Sequence, residues 1–237
     1  MSRSLVDQRV LVIGRSSGIA HAVVIAARDA GSQVIAAGRD RAVLAGAYGD
    51  EPRVTTDVVD VTDDASIATL GARLGSIDHV VSTASSRARG EVPHLERDAI
   101  RLSFDTKVIA PLMLAKHLAP RVRGSFVIFS GVAAFKIAVG TLGVAITNGA
   151  ADTLTRSLAL ELAPIRVNAI SPGVIDTGAW DALGAGAKAD MFADMTHRNP
   201  ARRIGTTGDI AEGVLFALTN TFLTGVTLHV DGGERLI

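Results

Sequence analysis

The stretch Arg9-Val10-Leu11-Val12-Ile13-Gly14-Arg15-Ser16-Ser17-Gly18-Ile19-Ala20 decides the fold. Val10 to Ile13 form a continuous apolar run without polar alternation, the pattern of a strand buried on both faces of a parallel sheet. The run stops at Gly14, and from Gly18 the apolar spacing turns helical as far as Ala30, ahead of Gly31. Strand, glycine turn and helix in immediate succession make the opening of a βαβ unit.

Outward from that stretch the rhythm repeats. Gln33–Ala37 reads as a second strand, Arg39–Ala47 as a short helix, Arg53–Val59 as a third strand, Asp64–Leu74 as a helix and Ile77–Val81 as a fourth strand. Beyond Ser82 the segments lengthen. Arg97–Leu118 is a long amphipathic helix with a kink expected at Pro111, followed by a strand over Ser125–Ser130, a helix over Thr141–Leu162, a strand over Ile165–Ile170, a helix over Asp209–Leu218 and a seventh strand over Val226–Val230. Asn148-Gly149 is a poor helix pair, the glycine costing about 1 kcal/mol, and predicts an irregular start to the Thr141–Leu162 helix. Between Pro172 and Arg203 the chain reads as irregular, with an apolar cluster of Trp180, Met191, Phe192 and Met195. Ligands of an open α/β sheet sit beyond the carboxyl ends of its strands, so residues 174–203 are expected to form a lid lining an apolar pocket.

The whole chain, 237 residues, is 48% hydrophobic and 20% charged, enough for one core and one domain over 1–237. Its 24 basic residues balance 24 acidic ones, which argues against nucleic acid or an acidic membrane as partner. The N-terminus MSRSLVDQRV lacks the apolar stretch of a signal peptide and no run is long enough to span a bilayer, so a cytoplasmic location is expected. Zero cysteines and six histidines without paired spacing argue against disulfides, thiol chemistry and metal ligation. Tyr48 is the single tyrosine, so phenol chemistry has one place to come from.

The turn Gly14-Arg15-Ser16-Ser17-Gly18-Ile19-Ala20 sits where a dinucleotide would be held, although its G-x-x-x-G-x-A spacing differs from the commoner G-x-G-x-x-G. Glycines let the backbone approach a pyrophosphate, and the helix N-terminus presents unpaired N–H groups to it. After the second strand comes Gly38-Arg39 rather than an acid that would bond a ribose 2′-OH. Arg15 and Arg39 together suit a 2′-phosphate, favouring NADP(H) over NAD(H).

With these features the chain resembles the short-chain dehydrogenase/reductase family along essentially its whole length. The resemblance is carried by the glycine turn, by Leu154-Thr155-Arg156-Ser157-Leu158-Ala159-Leu160-Glu161-Leu162-Ala163-Pro164, by Ile165-Arg166-Val167-Asn168-Ala169-Ile170-Ser171-Pro172-Gly173, and by Val230-Asp231-Gly232-Gly233. It implies one doubly wound α/β domain of Rossmann type, with a parallel sheet ordered 3-2-1-4-5-6-7 and helices on both faces, assembled as a homodimer or homotetramer through the long helices. It also implies that Asp60 and Val61 lie at the adenine ring. Ser82-Thr83-Ala84-Ser85 stands where the family has Asn-Asn-Ala-Gly, so that Ala84 is retained, and Pro172, Gly173, Ile175 and Thr177 are implied to hold the nicotinamide carboxamide.

The same resemblance exposes a departure. The family uses a Tyr as general acid, a Lys four residues later, a Ser thirteen residues before the Tyr and an Asn on the preceding helix; the matching positions here are Val144, Asn148, Gly131 and Lys107. Carbonyl reduction needs a proton delivered to the developing alkoxide, and Val144 has none to give; losing a positioned acid typically forfeits roughly 10²–10⁴ in rate. Two readings of Lys107 and Asn148 stand: an exchange of the family's Asn and Lys that returns an ammonium to the pocket near the nicotinamide ribose, or, more simply, chance substitution in a relaxed site with the lysine snorkelling to solvent. Ser130 adjoins the empty Ser position, but neighbouring strand residues face opposite ways, so a backbone-capping hydroxyl is expected. Tyr48 belongs to the adenosine side, and Asp176, Asp181, His197 and Arg87 read as surface residues. The expected function is therefore an NADP(H)-binding oxidoreductase with non-standard catalytic residues acting on a small apolar carbonyl or alcohol. The alternative is a catalytically inactive NADP(H)-binding sensor or partner subunit.

Overall fold

The computed structural model describes residues 4–237, so Met1–Arg3 of the N-terminal stretch lie outside the described residues. Strands β1 (Arg9–Ile13), β2 (Gln33–Gly38), β3 (Val54–Val58), β4 (Ile77–Ser82), β5 (Val122–Phe129), β6 (Arg166–Pro172) and β9 (Thr227–Val230) form one parallel sheet in the order β3-β2-β1-β4-β5-β6-β9. Two further strands, β7 (Ile175–Asp176) and β8 (Gly205–Thr206), pair with each other outside it, so the expected 3-2-1-4-5-6-7 order holds with β9 as the seventh sheet strand. Register is set in the centre by Val12, which faces Ala36 of β2 and Val81 of β4.

Both faces of the sheet are buried, which is why the strands read as unbroken apolar runs. Val10 and Val12 point into one core cluster with Val81, Val127, Ile170 and Val214, while Leu11 and Ile13 point into the other with Val80, Ile128, Val167 and Leu114. Each such side chain contributes about 1.5–3 kcal/mol by leaving water. Helices α1 (Gly18–Asp29) and α8 (Thr207–Thr219) cover the first face; α3 (Asp64–Arg73), α5 (Ala110–Leu118) and α6 (Leu142–Glu161) cover the second.

Capping residues fix several boundaries. Asp40 accepts the N–H groups of Ala42 and Val43 at 2.9 and 3.0 Å, so α2 (Arg41–Tyr48) begins two residues after the expected Arg39. Thr206 and Asp209 form a capping box at the start of α8.

Three expectations need correction. The Arg97–Leu118 segment is α4 (Arg97–Phe104) and α5 joined by a π-helical turn over Asp105–Ile109, in which Ala110 N–H bonds to Asp105 O. Pro111 has no N–H to give to Lys107, so the ladder shifts register there rather than breaking. Helix α6 runs unbroken through Asn148-Gly149: Val144, Ala145, Thr147, Asn148 and Ala151 are all buried on it, and that packing outweighs the weak propensity of the pair. The stretch read as irregular between Pro172 and Arg203 contains the 14-residue helix α7 (Ala185–Arg198). None of its residues is fully buried: Met191, Phe192 and Met195 form a short half-buried stripe on one side, and Lys188 Nζ on the same side bonds Asp176 at 3.0 Å and Asp181 at 2.7 Å.

Candidate active site

The carboxyl ends of the strands place the glycine turn, the β4–α4 loop, the end of β5, the first turns of α6 and the β6–β7 segment around one cleft. At the turn, Gly14 leaves no room for a side chain, since a Cβ would come 2.1 Å from Thr83 Oγ1 and 2.8 Å from Ala20 Cβ. Gly18 has φ +58° and lies against Thr177, bringing the turn and the β7 end together. Gly38 packs so tightly that a Cβ would sit 2.7 Å from Gly14 O. Ser17, the residue before α1, makes no side-chain cap, and the first turn of α1 carries no acid, so its N–H groups and dipole are free for an anion. This cradle fits a pyrophosphate, and Ser16 and Ile19 flank it.

Arg15 and Arg39 are exposed, and neither forms an ion pair among the described residues. Asp60 accepts from the N–H and hydroxyl of Thr62 at 2.9 and 2.7 Å; those bonds, with a smaller contribution from Arg39, hold its carboxyl below the usual range. Arg39 and Asp60 therefore share one end of the cleft, with Val61 beside them.

Lys107, Gly131, Val144 and Asn148, the positions singled out from the sequence, lie around the end of β5. Lys107, on the π-helical turn, is buried at 8% exposure and its Nζ donates to Ser130 O at 2.9 Å. Burial, reinforced by the Arg87 charge and opposed by Asp152, pushes its amine down to about 7. Ser130 Oγ donates to Asn148 O at 3.1 Å, the backbone-capping role expected of it. Asn148 is buried with its amide laid over Gly131, where a Cβ would come 2.8 Å from Nδ2, and its Oδ1 has no hydrogen-bond partner. Val144 is buried one turn earlier.

The β6–β7 segment is held from behind. Glu234 accepts from Val174 N at 2.8 Å, and a Cβ on Gly173 would sit 2.7 Å from Glu234 Oε2. Burial raises the Glu234 carboxyl. Arg235 bonds both oxygens of buried Asp231, completing a C-terminal clasp under Pro172-Gly173; Glu234, a lone acid after the glycine pair, gave no separate sequence signal. Ala84 lies half-buried beyond β4, and Ile175 is buried at the base of the excursion.

Above this segment a cleft of about 530 Å³ is lined by Asp176, Asp181, Gly184, Ala185, Lys188, Ala189 and Phe192. Of the four residues expected to line an apolar pocket only Phe192 reaches it, and its other polar neighbours make the lining mixed; Trp180 instead donates its Nε1 to Ile175 O at 2.9 Å. Tyr48 is buried in the core against His21, ring centroids 5.5 Å apart, with its phenol pushed up to about 12 by burial. Among the described residues no cluster of three acid or histidine side chains could hold a metal, and no helix is long and apolar enough to cross a membrane.

Comparison with known proteins gives a consistent result. Residues 13–234 match a family model described as enoyl-(acyl carrier protein) reductase. The chain is 31% identical to 2-keto-3-deoxy-L-fuconate dehydrogenase of Xanthomonas campestris pv. campestris, over 97% of this chain and 80% of that one. A short-chain type dehydrogenase/reductase from Mycobacterium ulcerans superposes with TM-score 0.88 at 30% identity, covering 98% of this chain and 91% of the other. A small-chain dehydrogenase in complex with NADPH superposes with TM-score 0.81 at 30% identity, covering 97% and 99%.

Proposed function

The chain belongs to the short-chain dehydrogenase/reductase family, and from that premise we propose that it is an NADP(H)-dependent oxidoreductase whose proton is handled by Lys107 instead of a tyrosine. The observation that carries this reading is the burial of the Lys107 amine at the end of β5, against Ser130 O and beside Gly131.

Gly14, Arg15, Ser16, Ser17, Gly18 and Ile19 would hold the pyrophosphate, with Arg15 and Arg39 taking the 2′-phosphate. Asp60, Val61 and Ala84 would border the adenosine, and Pro172, Gly173, Ile175 and Thr177 the nicotinamide, under a lid formed by residues 174–203. The nucleotide supplies a hydride when bound. A lysine with its amine near 7 is about half protonated at neutral pH, which suits it to give Nζ–H to a developing alkoxide and, in the reverse direction, to take a proton from an alcohol. Ser130 O fixes Nζ, and the burial of Lys107 keeps water from around it. Assembly as a homodimer or homotetramer and a cytoplasmic location belong to the same reading. The NADPH complex of the related small-chain dehydrogenase supports the choice of nucleotide.

One observation favours a second reading, an NADP(H)-binding protein without turnover: Asn148 fills the space over Gly131 from which a hydroxyl would polarise a carbonyl. The two readings separate in one experiment. NADPH and NADH are titrated by thermal shift, and NADPH oxidation is then followed over a panel of small aldehydes and ketones. Preferential NADPH binding with turnover is expected; binding without turnover selects the inactive reading, and binding of neither nucleotide overturns both.

A further inference from the structure

Arg87 and Arg89 flank a rigid point in the β4–α4 loop. Ser86 N donates to Thr106 Oγ1 at 3.0 Å and Ser103 Oγ donates to Ser86 O at 2.9 Å. Ala88 is buried against Gly143, where an added Cβ would come 2.9 Å from both Ala88 Cβ and its carbonyl oxygen. Gly90 N donates to Gly140 O at 3.0 Å. The loop is thus pinned to α4 on one side and to the first turn of α6 on the other, with both arginines exposed on either side of a buried alanine.

Position and charge define what this loop faces. Gly143 precedes Val144, so the loop stands beside the substituted centre and not at the adenosine end. The loop that carries Arg87 is held at Gly143, one residue from Val144, and the charge of Arg87 is felt by Lys107 as that of Arg89 and Arg15 is felt by Arg87. Among the described residues no carboxylate pairs with Arg15, Arg87 or Arg89. Cations converging without a counter-charge repel one another, and an oxyanion relieves that repulsion while matching the planar fork of a guanidinium.

We propose that Arg87 and Arg89 form the anion-binding wall of the substrate site, so that the substrate is a small carbonyl or alcohol bearing an oxyanion group, carboxylate or phosphate. The inference rests on the proposed oxidoreductase reading for the location of the reacting centre. It replaces the apolar ligand expected from the sequence.

The test is calorimetric titration of the NADPH-saturated protein with two matched pairs: D-gluconate against D-glucitol, and dihydroxyacetone phosphate against dihydroxyacetone. At least one anion is expected to bind about tenfold or more tighter than its neutral partner, as loss of a charge-assisted contact implies. The arm that responds identifies carboxylate or phosphate. In the Arg87→Gln/Arg89→Gln variant that advantage disappears, while NADPH affinity stays within about twofold. The proposal is overturned if neither anion outbinds its neutral partner, or if the double variant keeps the anion preference. Should the protein bind no NADPH, the oxidoreductase reading fails, and the same titrations on the free protein still decide whether the arginines select anions.

Discussion

The amide of Asn148 lies directly over the Cα of Gly131, close enough that a methyl group at 131 would come within 2.8 Å of Nδ2 and 3.3 Å of Cγ. The two residues define each other: a side chain at 131 and this placement of Asn148 compete for one space. Gly131 has φ 168°, an extended conformation open to any residue, so the constraint is the neighbour and not the backbone.

That competition is measurable. Gly131→Ser is expected to cost about 1–3 kcal/mol through overpacking, and adding Asn148→Ala to recover part of it, with a coupling of at least about 0.5 kcal/mol. Urea denaturation of the four proteins in the cycle checks this; additive changes would mean the two sites do not share space.

Lys107 makes stability depend on pH. Its amine lies at about 7 when folded and near the ordinary 10.5 when unfolded, so between these values the unfolded chain binds more protons and stability rises with pH. The unfolding free energy of the wild type relative to Lys107→Met should climb from pH 7 toward pH 10, with a slope of at most about 1.4 kcal/mol per pH unit. Denaturation at three pH values reads it, and a difference that is flat with pH would place the amine at its ordinary value.

Nucleotide choice should turn on the unpaired cation beyond β2. Arg39→Asp is expected to weaken NADPH binding by about tenfold or more and to leave NADH unchanged or improved. Fluorescence titration of both nucleotides measures it; equal losses for the two would remove Arg39 from the 2′-phosphate site.

Trp180 is the single tryptophan and stands at the base of the excursion, its Nε1 on Ile175 O. If residues 174–203 close over a bound nucleotide, NADPH should change its emission, and Lys188→Ala, which frees α7 from Asp176 and Asp181, should diminish that change. Unaltered emission at saturating NADPH would refute closure.

The fold was legible because both faces of the sheet are buried: Val10 to Ile13 could be read as a strand without knowing what covered it, and Gly14 and Gly18 marked the turn. Helix α7 was hidden because only Met191, Phe192 and Met195 in its second half carry an apolar period, too short a run to separate a helix from a packed loop, and the π-helical turn was hidden because Pro111 signals a disturbance without saying how the ladder adjusts. The same limits applied at the site. The family resemblance singled out Lys107, Gly131, Val144 and Asn148, but strand alternation did not carry over to Ser130: β5 ends at Phe129, and Ser130 Oγ turns to Asn148 O, the residue that a Cβ at Gly131 would also meet. That Asn148 fills the room left at Gly131, that Glu234 holds Val174, and that Arg87 and Arg89 flank a pinned alanine are all consequences of packing between distant segments. No local pattern in the chain encodes them.

The most direct test of the account is the pH profile of NADPH oxidation by the wild type and by Lys107→Met, each saturated with NADPH and supplied with a carbonyl substrate on which the wild type turns over. The account predicts a wild-type rate that falls as pH rises through about 7, and a variant that binds NADPH normally but is slower by roughly 10² or more, with that pH dependence gone. A variant that keeps the wild-type rate and profile would contradict it.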